Sequence, residues 1–408
     1  MDVYQSEFVE FEKNFKNFKK SKIVLYGIGR MTATLLPMLQ EYRIMGLMDR
    51  DETNIGKCYY NQLVLSEEEV EKQADLVIIN TAQTYWKTIY KRICNLEIPI
   101  YYLDGSIARI EPEQNQYETL DYWKTSYAEL EEKIEAHDVI SFDIFDTLLM
   151  RKIYLPLDIF RVIDRRVREK LGKDIEFYEV RKKASAYFTE KEATLAELYL
   201  KFAEIADIDL QTASLIQAIE LEVEEAFIVP RTDIVDLLKM AVGRHKKIYL
   251  MSDMYLPKEF LQRIIEKYLG MHLSGCDIWI SAELGVKKKD GTMWEKLVLH
   301  EAPMNILHIG DNLHSDIEMA QKYGIHTYYV MSGADMLSHS SIRGMAPYIC
   351  TIEESLMMGL IMARWFNSPF ALNVSKGRIC VAEFDDMGYG LFGSLMLSFL
   401  RWLTQNSQ

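Results

Sequence analysis

Short apolar runs alternate with longer amphipathic stretches along the first quarter of the chain. Four of these runs have the pattern of strands buried on both faces: Lys22 to Gly27, Ile44 to Met48, Asp75 to Asn80, and Ile98 to Leu103. Apolar residues at helical spacing precede the first run, over Tyr4 to Lys20, and follow it, over Met31 to Tyr42. The alternation predicts a small parallel α/β domain, which we place at residues 21–105 behind an N-terminal helix at 1–20.

The same alternation returns after a polar, helix-favouring connector at residues 106–137. A second unit begins with the buried run Val139 to Asp143. Four more strand patterns follow: Lys247 to Met251, Asp277 to Ile280, Ile306 to Ile309, and His326 to Val330. We therefore predict a second parallel sheet within residues 138–345 and a helical C-terminal tail at 346–408.

A long insertion interrupts the second sheet just after its first strand. Nearly all of it, at about residues 156–230, has the pattern of amphipathic helices, and no strong strand pattern is present. We expect the acidic residues Glu222, Glu224 and Glu225 near its end to lie on a solvated helix face rather than around a substrate. The insertion is predicted to form a separate helical layer over the sheet.

Composition excludes several classes of function. A formal net charge of −14 over 408 residues disfavours an extended nucleic-acid surface and leaves a small ligand as the expected partner. The five cysteines have no C-x-x-C spacing, so we expect neither a zinc site nor disulfides. No apolar run reaches the roughly 18 residues that a membrane span needs, and the N-terminus lacks the apolar core of a signal peptide. These features predict a cytoplasmic protein without a membrane span.

Chemically useful side chains follow the predicted strands of the second unit. Asp143 ends the first strand, Ser252 ends the next, and Lys287 to Lys289 come after the third. The fourth ends in Gly-Asp at Asp311, with Asp316 five residues further on. Each alone has an ordinary alternative, since aspartates form turns, serines cap helices and lysines lie in solvated turns. The carboxyl ends of parallel strands lie at one edge of the sheet, where ligands bind, so we expect these side chains to meet there.

The order and spacing of these motifs resemble those of the haloacid-dehalogenase-like (HAD) superfamily over roughly residues 138–335. The helical insertion resembles that superfamily's cap, placed between motifs one and two. The resemblance implies a Rossmannoid HAD core in which Asp143 is the nucleophile and Ser252 and Lys288 are catalytic. It also implies Mg²⁺ bound by Asp143, Asp311, Asp316 and the backbone carbonyl of Phe145.

The chemistry of these groups agrees with such roles. A carboxylate can attack phosphorus and form an acyl-phosphate, which splits one difficult displacement into two easier ones. Thr147, Asp253 and Lys289 are expected on the substrate side, with Thr147 capping the turn after the nucleophile and Lys289 as the alternative to Lys288. Ser252 would donate to phosphoryl oxygens, while a lysine would neutralise charge in the transition state.

One position departs from the phosphatase pattern. HAD phosphatases carry a second aspartate two residues after the nucleophile, where this chain has Phe145, followed by Asp146. An aromatic residue there resembles the haloacid dehalogenases, whose substrates need no leaving-group proton. Three hypotheses follow: a Mg²⁺-dependent hydrolase or phosphotransferase, a catalytically reduced nucleotide-sugar binding or scaffold module, and a dehalogenase-type hydrolase.

Two short sequence segments indicate a narrower group within this superfamily. The segments Ser141 to Leu149 and Met251 to Pro257 resemble a bacterial group of HAD hydrolases associated with glycosyltransferases and surface polysaccharide synthesis. The tail from Gly388 to Leu403 resembles the same group, in which a further domain often follows, so the chain is expected to be a short or truncated member. The resemblance implies a sugar phosphate as substrate and a glycosyltransferase or polysaccharide-assembly partner.

The first domain carries a partial nucleotide fingerprint. Gly27 and Gly29 lie between a strand and a helix, and Asp49 lies twenty residues beyond Gly29, which is the layout of a dinucleotide site. Thr32 stands where that fingerprint has its third glycine. The domain resembles the Rossmann-like domains attached to sugar-modifying enzymes. It is therefore expected either to bind a nucleotide or nucleotide-sugar or to use the two glycines for a tight turn.

Overall fold

The structure, a computed structural model, describes residues 3–109, 116–188, 192–381, 384–393, 396, 399–400 and 403. Parts of the predicted connector and of the predicted C-terminal tail lie outside these residues. The chain divides into two compact units. The first consists of Met1–Gln114 and Gly344–Thr351, and the second of Asn115–Arg343 and Ile352–Gln408.

The strands of the first unit are β1 (Lys22–Tyr26), β2 (Arg43–Met48), β3 (Cys58–Tyr59), β4 (Gln62–Leu63), β5 (Leu76–Ile79) and β6 (Ile100–Tyr102). Four of them form a parallel sheet with strand order β2-β1-β5-β6. The helices of this unit are α1 (Val3–Phe15), α2 (Arg30–Leu35), α3 (Glu67–Gln73) and α4 (Trp86–Ile93). All four predicted strands are confirmed, and β3 and β4 add a small antiparallel pair.

Two local features of this unit differ from or extend the prediction. The helix predicted over 31–42 ends at Leu35, and a 3₁₀ turn at Leu36–Met38 follows it. Pro37 explains the early end, because it has no N–H to donate to the carbonyl four residues earlier. Phe11 and Phe15 of α1 are fully buried in the core of the sheet, so this amphipathic helix covers one face of the domain.

The strands of the second unit are β7 (Val139–Asp143), β8 (Leu149–Arg151), β9 (Ile228–Pro230), β10 (Lys247–Ser252), β11 (Cys276–Ile280), β12 (Ile306–Gly310) and β13 (His326–Tyr329). Five of them form a parallel sheet with strand order β11-β10-β7-β12-β13, so that β7 is central. The helices of this unit are α5 (Tyr127–Ala136), α6 (Ile159–Leu171), α7 (Phe177–Tyr187), α8 (Leu195–Ala206), α9 (Leu210–Phe227), α10 (Thr232–Gly243), α11 (Lys258–Leu269), α12 (Ser281–Leu284), α13 (Thr292–His300), α14 (Met319–Lys322), α15 (Gly333–Ser338), α16 (Ile352–Trp365) and α17 (Phe384–Met387). The five predicted strands of the sheet are confirmed.

The predicted helical insertion consists of α6 to α9, which we call the cap. Its buried face is built from apolar side chains such as Phe177 and Phe202. One ion pair is also fully buried in it, between Arg181 and Glu220, with Nε–Oε2 at 3.0 Å. The cap leaves and re-enters the core through β8 and β9, which pair antiparallel. The sequence pattern did not predict this pair, because each strand has only three residues.

The C-terminal segment holds both connections of the cap. On the first connection, Ser355 in α16 donates from Oγ to Asp158 at 2.6 Å. Gly359 in the same helix lies against the backbone of Ile153 so closely that an added Cβ would be 2.2 Å from its nitrogen. On the second connection, Asn367 donates to the carbonyl of Pro230 at 2.7 Å. This segment therefore fixes where the cap meets the sheet.

Membrane insertion of a helix is not indicated by the structure. In the described part of the chain, none of the helices is both long enough and apolar enough to cross a bilayer.

Candidate active site

The register of the second sheet brings the predicted motifs to one edge. Asp143 is the last residue of the central strand β7 and pairs with Met251, so Ser252 lies one residue beyond it on β10. On the other side, Phe142 pairs with Ile309, which places Asp311 just past the end of β12. Because all these strands are parallel, their carboxyl ends meet at the same place.

Three carboxylates converge at this edge. Asp143, Asp311 and Asp316 each offer an oxygen, and the three oxygens lie within 4.8 Å of one another. Gly310 makes the approach possible, since an added Cβ would be 2.5 Å from the Cβ of Asp316. Clustered carboxylate oxygens are the ligands that Mg²⁺ prefers, so the donor set fits the predicted metal.

Lys288 is the cation of the site. It is 3% exposed, and its Nζ donates to Asp143 and, at 2.6 Å, to Asp316. Asp253 positions this lysine by accepting the backbone N–H of Lys288 at 2.9 Å and that of Lys289 at 3.1 Å. The side chain of Lys289 is exposed. Of the two predicted lysines, the structure therefore places Lys288 at the carboxylates, and it gives Asp253 a loop-holding role.

Burial and neighbouring charges shift the pKa values of the three aspartates in different directions. Burial raises the pKa of Asp143 to about 7, although Lys288 opposes this shift. Burial and the neighbouring carboxylates raise the pKa of Asp311 well above its usual range. At Asp316, burial also acts upward, but Lys288 and His308 outweigh it and hold the pKa below its usual range. One lysine thus offsets Asp316 but not Asp311, and a divalent cation would supply the remaining charge.

The turn after Asp143 is held by buried contacts. Thr147 is fully buried and donates from Oγ1 to Asp311 at 3.3 Å, so this residue lies beside the carboxylates. Asp146 has a φ of 60°, in the left-handed region, and its backbone N–H donates to Leu149. Its carbonyl accepts a hydrogen bond from the fully buried Arg231, which the sequence reading did not single out.

Phe145 faces an arginine rather than an acid. The guanidinium of Arg151 lies 4.1 Å from the centre of the Phe145 ring. Arg151 also donates to Glu224 of the cap helix α9, from Nε at 2.8 Å and from Nη2 at 3.1 Å. This fork is a charge-assisted, two-point contact between core and cap.

The expectation that Glu224 lies on a solvated face is wrong, because its side chain is fully buried against Arg151. The sequence did contain a signal for this. The buried stripe of α9 includes Ala213, Ile216, Glu220, Val223 and Glu224, so both glutamates fall at core positions of the helical repeat. Glutamates at such positions are rarely fully buried unless they are paired.

A buried histidine lies next to the acidic cluster. His308 on β12 is fully buried, and its Nδ1 lies 2.9 Å from Oγ of Ser141. Its Nε2 is 3.5 Å from Oδ1 of Asp316, which is too long for a well-formed hydrogen bond. His308 lies in the middle of a strand, where a histidine is expected to belong to the core, and the motif pattern alone did not indicate that it lies near the site.

In the first unit, polar side chains of the partial nucleotide fingerprint form hydrogen bonds with neighbouring residues of the same unit. Thr32 donates from Oγ1 to the carbonyl of Gly27 at 2.6 Å, and Asn80 donates to Oγ1 of Thr32 at 3.1 Å. Asp49 accepts from the side chain of Asn54 at 2.7 Å and from a backbone N–H of its own turn. Gly29 is the N-cap of the short helix α2, with nothing within 4 Å of its Cβ position. These contacts describe a tight turn and a capped loop.

Comparisons with known proteins agree with the two-part organisation. Residues 285–347 match the family model described as HAD-hydrolase-like, a segment that contains Lys288, Asp311 and Asp316. Residues 19–102 match the model described as C2185-like, N-terminal, whose range coincides with the predicted first domain. No curated protein matches the sequence of the chain. Residues 285–347 of the second unit are therefore similar to HAD-like hydrolases, and the unit itself has an α/β fold with a parallel sheet.

Solved HAD structures show distant likeness. A HAD family enzyme from Bacteroides thetaiotaomicron, in complex with magnesium and inorganic phosphate, has 16% identity and a TM-score of 0.33, over 48% of this chain and 96% of its own. A HAD phosphatase from Thermococcus onnurineus has 20% identity and a TM-score of 0.32, over 47% and 86%. A 2-haloacid dehalogenase from Pseudomonas syringae has 15% identity and a TM-score of 0.35, over 48% and 86%. At these values nothing about the substrate of this chain follows from them.

Proposed function

We propose that the second unit is a Mg²⁺-dependent phosphoryl-transfer enzyme that works through an aspartyl-phosphate on Asp143. The observation that carries the proposal is the convergence of Asp143, Asp311 and Asp316 around one buried lysine. Such a site has too much negative charge to be a structural core and matches what a phosphoryl group requires: a nucleophile and cations.

The residues have distinct roles in this proposal. The carboxylate of Asp143 attacks phosphorus, while Lys288 neutralises charge on the transferring group. Ser252 and Thr147 lie at the same edge and would donate to phosphoryl oxygens. Lys289 and Asp253 border the substrate side through their loop. Mg²⁺, held by the three aspartates and the carbonyl of Phe145, would supply the charge that lets a carboxylate and a phosphate approach each other.

The substrate we infer is a small phosphorylated metabolite, specifically a sugar phosphate, in a cytoplasmic setting beside a glycosyltransferase or polysaccharide-assembly partner. The support for this setting is the local sequence resemblance at motifs one and two. The geometry itself supports only the transfer of a phosphoryl group.

A panel of phosphate esters with and without Mg²⁺ tests the proposal. Wild-type protein should turn over at least one ester only when Mg²⁺ is present, and Asp143→Asn should abolish that turnover. Asp277→Asn is the matched control, because Asp277 is an exposed aspartate on β11 of the same sheet. Equal turnover by wild type and Asp143→Asn would overturn the assignment of the nucleophile.

A second function is favoured by Phe145, which lies two residues after Asp143 and can neither donate nor accept a proton. In that case the chain binds a nucleotide-sugar or scaffolds an assembly without catalysis. Thermal stabilisation by a nucleotide-sugar, together with no turnover of any ester, would support it over the enzyme. Release of halide in EDTA would instead indicate dehalogenase chemistry, which the acidic cluster at Asp311 and Asp316 disfavours.

A further inference from the structure

Two histidines meet at the amino edge of the second sheet, the edge opposite to Asp143. His137 caps the C-terminus of α5, just before the central strand β7, and His326 is the first residue of β13. Nε2 of His137 lies 2.6 Å from Nδ1 of His326, and the two rings are perpendicular, with their centres 4.9 Å apart. The histidines are 189 positions apart, so the cysteine pattern that disfavoured a zinc site does not bear on this pair.

The ring of His137 is oriented by a backbone carbonyl. Its Nδ1 lies 2.7 Å from the carbonyl oxygen of Lys133. A carbonyl can only accept, so Nδ1 carries a proton and, in the neutral ring, Nε2 presents its lone pair to His326. Histidines that bind metals are generally held in this way, with the second ring nitrogen donating to a carbonyl or a carboxylate.

The histidine pair borders a cavity of about 420 Å³. Leu307 and Ile325 form its apolar part, and Gln321 and Thr327 add polar side chains. A water molecule takes about 30 Å³ in the liquid, so the cavity has room for an ion and its water ligands. The ring nitrogens are therefore accessible to a hydrated ion.

The cations near the pair are held by oxygens. Lys133 also lines the cavity, and its Nζ lies 3.7 Å from Oε1 of Glu129. Lys246 donates from Nζ to the carbonyls of His137 and Glu135, at 2.7 Å and 2.8 Å. The formal net charge of −14 favours cations over anions near the protein as a whole. A metal ion would therefore meet two lysines whose charge is already partly offset.

Two nitrogens that converge on one point suit a cation better than an anion. An anion is bound by N–H groups that point at the anion and not at each other. Between the neutral rings, Nδ1 of His326 donates to Nε2 of His137, and a metal would take the place of that proton. The proton would then move to the other nitrogen of His326, so both rings stay neutral and bind the metal through lone pairs.

From this juxtaposition we propose that His137 and His326 form a binding site for a divalent transition-metal ion of the zinc and copper class. Imidazole suits these ions, whereas Mg²⁺ prefers oxygen ligands, so the site differs in chemistry and position from the three carboxylates. The proposal is independent of phosphoryl transfer.

The geometry of the pair is close to that of two ligands on one ion. With metal–nitrogen distances of about 2.0–2.1 Å, neighbouring ligands lie about 2.9 Å apart in a square arrangement and about 3.3 Å apart in a tetrahedral one. The nitrogens, now 2.6 Å apart, would need to separate by less than about 1 Å. His326 is exposed, so its ring can move by that amount, and water would complete the coordination.

A bound ion would link two elements that are not neighbours in the sheet. Leu307 of β12 pairs with His326, while Ile306 of the same strand pairs with Val139 of β7. The metal would therefore join the end of α5 to the edge strand β13 across the amino end of β12. Because the unfolded chain does not hold the two rings together, binding should stabilise the folded state.

Electron paramagnetic resonance of wild-type protein with one equivalent of Cu²⁺ tests the site directly. The protein is first alkylated, since Cys58 and Cys380 are exposed thiols that also bind copper, and it is kept in excess Mg²⁺. We expect a spectrum split by two nitrogen ligands. Copper held by carboxylate oxygens shows no such splitting, so the spectrum itself separates the two sites. One nitrogen or none in the wild-type spectrum would overturn the proposal.

Histidine variants assign the nitrogens. His137→Asn and His326→Asn should each lose the two-nitrogen spectrum and weaken Cu²⁺ binding by at least about 10- to 100-fold, the range found for residues that only support a ligand. His272→Asn is the control, because His272 is an exposed histidine of the same unit that faces Glu266. A two-nitrogen spectrum that survives in His326→Asn, or that His272→Asn removes, would place the copper elsewhere and overturn the assignment.

Thermal unfolding with Zn²⁺ gives a second readout on the same alkylated proteins. Zn²⁺ should raise the unfolding temperature of wild type and of His272→Asn, and the rise should be absent from His326→Asn. An equal rise in all three proteins, or a rise in none, would contradict the proposal. Either result would leave the assignment of Asp143 untouched, because that assignment depends on the opposite edge of the sheet.

Discussion

Replacing Gly359 with alanine tests how tightly the C-terminal helix α16 holds the cap. An added Cβ would lie 2.2 Å from the nitrogen of Ile153 and 2.3 Å from its Cα. Both are backbone atoms of the first cap connection, so no side-chain rotation can relieve the overlap. Either α16 or the connection must shift.

Two opposing effects set the size of the change. Alanine in place of glycine inside a helix is favourable by about 1 kcal/mol. Overpacking a tight contact costs about 1–3 kcal/mol, and a backbone overlap belongs at the upper end of that range. Packing therefore outweighs propensity, and we expect a net loss of about 2 kcal/mol, or several degrees in the unfolding temperature.

The assay is thermal unfolding of wild-type and variant protein in the same buffer. Gly243→Ala is the matched control, because Gly243 is also helical, at the end of α10, and nothing lies within 4 Å of its Cβ position. That control should unfold at the wild-type temperature or slightly above it. The reasoning is refuted if Gly359→Ala is as stable as wild type, or if Gly243→Ala loses as much stability.

Three further predictions concern buried charge. Lys288→Met should destabilise the metal-free protein by about 3–5 kcal/mol, because it leaves two buried carboxylates without their positive partner. Thermal unfolding in EDTA measures this loss. The control Lys289→Met, at an exposed lysine, should change the unfolding temperature little. Arg181→Met should cost a similar amount because the buried Glu220 loses its positively charged partner and keeps only the hydrogen bond from Tyr199. An unchanged unfolding temperature would show that the ion pair is absent. Mg²⁺ should raise the unfolding temperature as its concentration rises, because binding adds about 2.7 kcal/mol to the free energy of unfolding at a concentration of 100 times Kd. Asp311→Asn should remove this effect, whereas Asp277→Asn should not.

The predictable part of the fold follows from local periodicity. The strands of both sheets are short apolar runs, and their predicted bounds agree with the structure to within two residues because a buried parallel strand has no polar face. The convergence of Asp143, Ser252 and Asp311 also follows from sequence, since motifs at the ends of parallel strands must share an edge. Chain order and strand polarity are sufficient for that part of the site.

The rest of the site depends on contacts between distant segments. Arg151 and Glu224 are 73 positions apart, and no local pattern indicates that one will pair with the other. Arg231 donates to the carbonyl of Asp146, in the turn after Asp143, across 85 positions. The fit of Gly359 against Ile153 is likewise a property of three-dimensional packing, which the apolar pattern of α16 alone does not contain.

Asp49 shows how much a spacing alone indicates about a side chain. Its distance from Gly29 matches a ribose-binding acid, but its carboxylate accepts hydrogen bonds from Asn54 and its own turn. Spacing gives the position of a side chain along the chain, whereas its partners decide what remains available to a ligand.

The central claim is that Asp143 is a nucleophile that becomes phosphorylated. Its most direct test is to incubate the protein with Mg²⁺ and acetyl phosphate, quench with acid, and map the modified residue by mass spectrometry after borohydride reduction. We predict an adduct on Asp143 that is absent from Asp143→Asn and unchanged in Asp277→Asn. An adduct at another residue that survives in Asp143→Asn, or none with any phosphoryl donor, would contradict the account.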